Sequence, residues 1–393
     1  MTSRPSVLLL ADESDFSYRV LKAAHGAGLS VHVLAGPRAS LLHLSRYSAS
    51  ITTRKDSLEK ADQVVGEINR LAERKSAAWV LPSDPKTTRF LIAVAARLNR
   101  PIFPSPDLAT FDRLNDKWTF TTTMGDLGLS CPKSRYFADK EELLRAYEAA
   151  ELPGPGIVKP LSESGGVGVQ RVAEEDGPRI AKSLTYAPII WQEFIAGVDV
   201  DVTAFCRDGE LVCFSTRRRT HGKFLLQDHG ELRRQTAALA RSQNLTGIFD
   251  FDVVADPTFT RVHWIECNPR VFFAIDFMAY GGMNLIAEGL GLKGGSRLRP
   301  LDQRDERSCL APGMSGPIIH VRKLRAVLRG LLHAEPVTVR DVLIFGREFS
   351  DPVLYFRTRT AELWKAGQTR WLRLSARGLA SRLGKPPVST AGV

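Results

Sequence analysis

Gly247-Ile248-Phe249-Asp250-Phe251-Asp252-Val253-Val254, the turn Ala255-Asp256-Pro257, and then Val262-His263-Trp264-Ile265-Glu266-Cys267-Asn268-Pro269-Arg270 are the stretch that decides how this chain reads. Each half alternates as a strand does, because successive strand side chains point to opposite faces. The turn lets the two strands pair antiparallel. Asp252 then projects from the same face as Glu266 and Asn268, which are two residues apart. Acids do alternate on exposed strands, but such strands rarely surround them with Ile, Phe, Val and Trp. Two carboxylates flanked by apolar surface repel each other and are poorly solvated unless a cation neutralises them. Three oxygen-bearing side chains on one face suit Mg²⁺, a hard cation that keeps other positions for water and phosphate oxygens. Asp252, Glu266 and Asn268 are the candidate metal ligands, and Mn²⁺ is able to replace Mg²⁺ there.

Working outward, Ser6 to Ala11 reads as a buried strand, followed by Phe16, Val20, Leu21 and Ala24 at helical spacing, with Gly26 and Gly28 ending the helix. Leu29 to Leu34 is a second strand. The cycle repeats with a helix over Leu58 to Arg74, the strand Ala77 to Pro82, a helix over Thr87 to Leu98 and the short strand Pro101 to Phe103. Strands alternating with helices predict a parallel sheet covered on both faces. The turn Asp12-Glu13-Ser14-Asp15 lacks the glycines of a dinucleotide site, so this unit reads as a structural or substrate-side domain. Ser105 and Pro106 predict the start of a helix that carries Asp116-Lys117.

Gly156-Ile157-Val158-Lys159-Pro160 is a strand ending in a lysine, and Gly165-Gly166-Val167-Gly168 follows. A lysine leaving a strand before a glycine-rich hairpin can reach nucleotide phosphates while loop amides fold over them. It is not a P-loop, since neither Gly222-Lys223 nor Gly384-Lys385 is followed by Ser or Thr. Gln192-Glu193-Phe194-Ile195 runs into Gly197, and Asp199 and Asp201 then alternate with valines. That segment is either a half-exposed strand with a polar face, or an adenine-binding edge at Glu193–Ile195 with Asp199 as ribose acceptor. Arg217 to Lys223 reads as a charged turn between strands, by default a solvated loop and otherwise a cover for triphosphate or an acidic substrate.

In this order, these elements resemble the ATP-grasp superfamily over roughly Ser6 to Gly291, nearest its carbamoyl-phosphate-synthase-like and carboxylate–amine ligase branch. The resemblance implies an α/β and α+β chain: a parallel α/β pre-ATP-grasp domain at 1–112, then a two-lobed ATP-grasp domain. Its small lobe at 113–196 has the glycine-rich loop, and its large lobe at 197–299 has the metal site. A basic, partly helical C-terminal extension covers 300–393. The resemblance further implies that Lys117 and Lys159, with Gly165, Gly166 and Gly168, hold the phosphates of ATP. Glu193, Phe194 and Ile195 would meet the adenine and Asp199 the ribose. Asp252, Glu266 and Asn268 would bind Mg²⁺, and Arg270 would stabilise the transferring phosphoryl group. Asp250 competes with Asp252 for the ligand role, and Asp252 fits the family spacing better. The implied activity is a ligase that activates a small carboxylate as an acyl phosphate for an amine or other nucleophile. Val271-Phe272-Phe273 departs from the small or polar residues usual after Asn-Pro-Arg and implies a bulkier or more apolar acceptor pocket.

Composition bounds the rest. The apolar fraction of 44% and charged fraction of 25% are those of a globular protein. Five scattered cysteines lack zinc or redox spacing, which suits a reducing cytoplasm. The net charge is +11, and from Leu301 onward 16 Lys+Arg stand against 8 Asp+Glu. A specific nucleic-acid binder more often spreads its charge over one face. Leu363, Trp364, Trp371, Leu372 and Leu374 recur at helical spacing beside Arg370, Arg373 and Arg377. Such a helix either docks on its own domain or a partner subunit, as in a homodimer, or lies on an anionic membrane. The membrane option gives the alternative function, a non-catalytic ATP-binding module tethered through this helix.

Overall fold

Val7 to Ala11 are completely buried because β1 (Ser6–Ala11) lies inside a parallel sheet with both faces covered. The computed structural model describes residues 4–45, 47–152, 154–163, 166–220, 223–292 and 307–310. Gly165, the His221-Gly222 turn and, apart from 307–310, the basic extension with its amphipathic helix lie outside the described residues. The N-terminal unit continues with α1 (Ser14–Gly26), β2 (Ser30–Ala35), β3 (Ser48–Thr53), α2 (Ala61–Arg74), β4 (Trp79–Pro82) and α3 (Pro85–Val94). Its strand order is β3-β2-β1-β4, all parallel. Sequence reading missed β3, because Ser-Ala-Ser-Ile-Thr-Thr is an edge strand with no buried residue and is held by its backbone ladder to β2. Conversely, the expected strand Pro101 to Phe103 is reduced to a single bridge between Val80 and Ile102.

Two short helices link this unit to the next, and here the expected helix start is corrected. Asp107, not Ser105, caps α4 (Leu108–Asn115), accepting from the Thr110 amide at 2.9 Å. Ser105 instead donates its hydroxyl to the Phe103 carbonyl. Asp116 ends α4 and caps α5 (Lys117–Asp126), accepting from the Trp118 and Thr119 amides at 3.0 and 2.9 Å. Asp116-Lys117 is therefore a break between helices, and Lys117 is the first residue of α5.

Next come β5 (Ser134–Phe137), α6 (Lys140–Glu148), β6 (Gly156–Pro160), β7 (Gln170–Val172), α7 (Gly177–Ser183) and β8 (Ile189–Glu193). They form an antiparallel sheet of order β5-β8-β6-β7. Its core joins Phe137, Val158, Ile189 and Trp191 of the strands to Leu143 of α6 and Ile180 of α7. The third unit comprises β9 (Val198–Arg207), β10 (Glu210–Thr220), β11 (Lys223–Gln227), α8 (Gly230–Ser242), β12 (Gly247–Ala255), β13 (Val262–Asn268), the short α9 (Ile275–Tyr280) and α10 (Leu285–Gly289), and β14 (Arg307–Leu310). Its antiparallel sheet has the order β13-β12-β9-β10-β11-β14. Phe249, Phe251 and Val253 turn one face toward α5 and α8, packing with Phe120, Met124 and Leu239. β14 lies within the stretch expected to be the extension, yet it pairs with β11.

Arg217 is not in a solvated turn. The hairpin turns later, so Arg217 lies within β10, 5% exposed and facing two carboxylates. Among the described residues, no helix is long and apolar enough to cross a membrane.

Candidate functional site

The register of the large sheet builds the site. On β12, Asp250 and Asp252 occupy the face opposite Phe249 and Phe251. Asp252 stands across from Glu266 on β13 and from Asp201 on β9, and Asp201 stands across from Arg217 on β10. One step along, Asp250 stands across from Asn268 on β13 and Thr203 on β9. Two polar rows thus cross the sheet side by side, one carrying Arg217, Asp201, Asp252 and Glu266, the other Thr203, Asp250 and Asn268. The predicted ligands Asp252, Glu266 and Asn268 share this face.

Hydrogen bonds fix the rows. Arg217 donates to the Asp201 carboxylate at 2.9 Å through Nε and lies 3.3 Å from Asp250 through Nη2. Thr203 donates its hydroxyl to Asp250 at 2.7 Å. Burial lifts the Asp250 carboxyl to about 6, against the opposing pull of the Arg217 guanidinium. Burial, joined by the neighbouring carboxylates Glu266 and Asp201, pushes Asp252 well above the ordinary range. Burial alone would raise Glu266 as well, but the ammonium groups of Lys117 and Lys159 hold it low. The two carboxyls are thus pushed in opposite directions, Asp252 upward and Glu266 downward.

Both predicted lysines converge on this pair. α5 packs against β13, and the Lys117 amide donates to the Leu161 carbonyl at 3.0 Å. The Lys117 Nζ donates to the Glu163 carbonyl at 2.8 Å and lies 3.4 Å from the Glu266 carboxylate. Lys159, 3% exposed near the end of β6, is drawn down to about 8 by burial, with Lys117 adding to the effect and Glu266 and Asp252 opposing it. Arg270 is buried and donates through Nη2 to the Asn268 side-chain oxygen at 2.7 Å, so any ion would share that oxygen with it.

The donors are two carboxylates and an amide oxygen, a hard, all-oxygen set, and a divalent cation there would offset the burial and carboxylate repulsion that raise Asp252. Among the described residues, no three His, Cys, Asp or Glu side chains form a self-sufficient metal cage. An ion at this site would draw its remaining ligands from water and phosphate, as Mg²⁺ commonly does.

The other predicted residues lie on or beside β6, β8 and β9. Gly166 and Gly168 follow β6 with φ of +74° and +75°. A Cβ on Gly168 would fall 2.9 Å from the Pro160 ring, so only glycine lets this hairpin fold back over the strand that carries Lys159. Glu193 ends β8, its amide donating to the Lys133 carbonyl at 2.8 Å, and Phe194 donates to the Pro155 carbonyl at 3.0 Å. The Arg171 guanidinium stacks 3.7 Å above the Phe194 ring. Ile195 is half-buried, and Asp199 is exposed on β9, two residues before Asp201.

Sequence reading missed Asp201 and Thr203 as members of the site, weighed Asp250 only as a rival to Asp252, and placed Arg217 in a charged turn rather than within β10. The alternation Asp199, Asp201 and Asp250, Asp252 was visible, but only the pairing of β9 and β10 with β12 reveals that these residues meet. Of Val271-Phe272-Phe273, Phe272 lies under the Arg217 guanidinium, which stands 5.0 Å from its ring centroid. Val271 and Phe272 are buried, and Phe273 packs edge-on to Phe16 of α1 (5.6 Å between centroids) beneath the Arg19 guanidinium.

An antiparallel small lobe with a buried lysine and glycine hairpin, set against a sheet bearing paired carboxylates, defines a two-lobed phosphate-binding domain. Residues 114–272 match the family model of the ATP-grasp domain, and this part of the chain is an ATP-grasp domain. No curated protein sequence matches the chain. Among solved structures it is similar to carboxyaminoimidazole ribonucleotide synthase from Aspergillus clavatus complexed with ATP (16% identity, 82% of this chain and 86% of that one, TM-score 0.61). It is also similar to L-amino acid ligase from Bacillus licheniformis (17% identity, 77% and 76%, TM-score 0.56). A third is the biotin carboxylase domain dimer of Hydrogenobacter thermophilus 2-oxoglutarate carboxylase, solved with MgADP and bicarbonate (16% identity, 74% and 70%, TM-score 0.56). At these identities the likeness concerns the fold.

Proposed function

We propose that the protein is an ATP- and Mg²⁺-dependent ligase that activates a carboxylate as an acyl phosphate and transfers the acyl group to an amine or other nucleophile. The observation that carries this reading is the convergence of Lys117, Lys159 and Arg270 on the Asp252–Glu266 pair. Phosphoryl transfer depends mainly on positioning and charge neutralisation, which these groups supply. A substrate carboxylate oxygen attacks the γ-phosphorus, and the bond to the β-bridging oxygen breaks to release ADP. The nucleophile then attacks the acyl carbon, phosphate leaves with the bonding pair, and the nucleophile loses its proton. Lys117 and Lys159 bind and orient the polyphosphate, Gly166 and Gly168 fold over it, and Arg270 neutralises charge on the transferring group. Glu193 to Ile195 hold the adenine and Asp199 the ribose. Asp252, Glu266 and Asn268 would hold Mg²⁺, which supplies charge neutralisation between phosphate oxygens when bound.

The likeness to an L-amino acid ligase supports ligase chemistry, and the similar structures solved with ATP or MgADP support the nucleotide. Replacing Glu266 by Gln is the direct test. ADP release with a panel of carboxylates and amines should fall to background while the circular dichroism spectrum and melting profile stay close to wild type. Undiminished turnover in the folded variant would sink the assignment.

A further inference from the structure

Carboxylates from three strands share one face of the large sheet: Asp201 on β9, Asp250 and Asp252 on β12, and Glu266 on β13. Arg217 on β10 divides them into two groups. Its Nη2 lies 2.7 Å from the Asp201 Oδ2, to which Nε also donates at 2.9 Å. The same Nη2 lies 3.3 Å from the Asp250 Oδ2. The other Asp250 oxygen accepts from the Thr203 hydroxyl at 2.7 Å, and the Arg217 Nη1 reaches that hydroxyl at 3.4 Å. Both Asp250 oxygens and one Asp201 oxygen are therefore engaged. Asp252 stands between Asp201 and Glu266 and has no ion-pair partner among the described residues.

The place that Arg217 fills is one that a metal ion would otherwise suit. Carboxylates taken out of water need a counter-charge, from an ion or from a side chain. A guanidinium serves because it stays protonated in proteins and its planar fork can bond two carboxylates at once. Mg²⁺ differs in demanding oxygen ligands at about 2.1 Å and in keeping several of its waters. Such waters have no space here. Arg217 and Asp250 are buried, Thr203 is completely so, and the Phe272 ring closes one side of the guanidinium, its centroid 5.0 Å from the central carbon. The Glu266 side chain, by contrast, is 20% exposed beside Lys117, which leaves an open side for water and phosphate. None of the Arg217 and Asp250 bonds described above goes to Asp252, Glu266 or Asn268.

We propose that Arg217 is a resident cation filling a second metal position between Asp201 and Asp250, so that the protein's own side chains hold a single divalent ion, at Asp252, Glu266 and Asn268. The proposal rests on the ligase reading above. It makes Arg217 a positioning residue, acting through the carboxylates that it withholds from the ion. Mn²⁺ titrated into the full chain without nucleotide, with the bound ions counted by electron paramagnetic resonance, tests it. Mg–ADP binding is measured separately by calorimetry. Wild type should bind one Mn²⁺ per chain. Arg217→Ala frees both carboxylates, opens room for a hydrated ion and should bind two. Mn²⁺ should also raise the melting temperature of that variant more than that of wild type, since a ligand stabilises the state that binds it. Arg217→Lys keeps a fixed cation and should bind one. If the alanine variant fails to fold even with Mn²⁺, the paired variant Arg217→Met/Asp250→Asn decides, because it removes both charges and leaves the net charge unchanged. It should bind one Mn²⁺ with an affinity within about tenfold of wild type, less than the loss that follows removal of a ligand's orienting partner. The proposal is overturned by a single Mn²⁺ on the folded alanine variant, by a larger loss in the paired variant, or by any wild-type count other than one while Mg–ADP still binds. A wild type that binds neither Mn²⁺ nor Mg–ADP overturns the ligase reading itself, so the two failures are told apart.

Discussion

Burial places the Lys159 ammonium at about 8, so in the free protein this group is charged below that pH and neutral above it. A polyphosphate binds the charged form, and affinity for Mg–ADP should fall as pH rises through about 8. Lys159→Arg should remove that alkaline limb, because a guanidinium stays protonated in proteins. Titration calorimetry between pH 6.5 and 9.5 checks this, and a limb persisting in the arginine variant would place the titration elsewhere. Arg217 poses a different question, since it neutralises Asp201 and Asp250 inside the sheet. Arg217→Met leaves the buried Asp250 carboxylate without its cationic partner and should cost about 3–5 kcal/mol of stability in urea unfolding. Adding Asp250→Asn should recover part of that loss. Additive losses would show that the two residues are not coupled.

At the scale of elements, the α4–α5 break sets where Lys117 stands. Asp116→Ala removes an N-cap worth about 1 kcal/mol and releases the first turn of α5. The expected outcome is a modest fall in melting temperature with a larger loss of Mg–ADP affinity, because Lys117 is the first residue of that turn. Equal nucleotide affinity in the variant would mean that the Leu161 and Glu163 carbonyls alone position the lysine. Ser105-Pro106 looked like the helix start, and only the backbone path showed Asp107 and Asp116 as the two caps. Ser, Asp and Pro suit the first positions of a helix almost equally well, so spacing alone does not choose among them.

Across the whole molecule, the N-terminal unit is fastened to α9, just after the ATP-grasp domain, by a buried ionic joint. Asp276 on α9 lies 3.3 Å from Arg19 and 3.1 Å from Lys22, both on α1. Burial would raise the Asp276 carboxyl, but the two cations hold it below the usual range. A depressed carboxyl contributes stability above its unfolded pKa, near 4, and that contribution is lost as pH falls through its lower folded value. Asp276→Asn should therefore lower stability at pH 7 by about 3–5 kcal/mol and flatten the acid limb of the stability–pH profile. Melting curves from pH 3 to 7 check both effects. An acid limb as steep as in wild type would assign it to other carboxylates. Asn284 adds to the joint, donating to the Ala23 carbonyl at 2.9 Å while capping α10.

Alternation, turn residues and element order were enough to mark a parallel α/β unit, a strand-borne lysine before glycines, and a strand pair bearing Asp252, Glu266 and Asn268. These are local properties, fixed by the two-residue period of a strand and by backbone freedom at glycine. The partners of that pair were decided by tertiary structure. Asp201 and Arg217 lie 51 and 35 residues before Asp252 along the chain, and only the β9–β12 and β9–β10 registers bring them alongside. The same holds for Phe273 against Phe16, and for Arg54 meeting Asp12 beside Gly36. A strand's sequence specifies which face a side chain takes, whereas long-range pairing, set by the packing of whole layers, specifies what stands opposite.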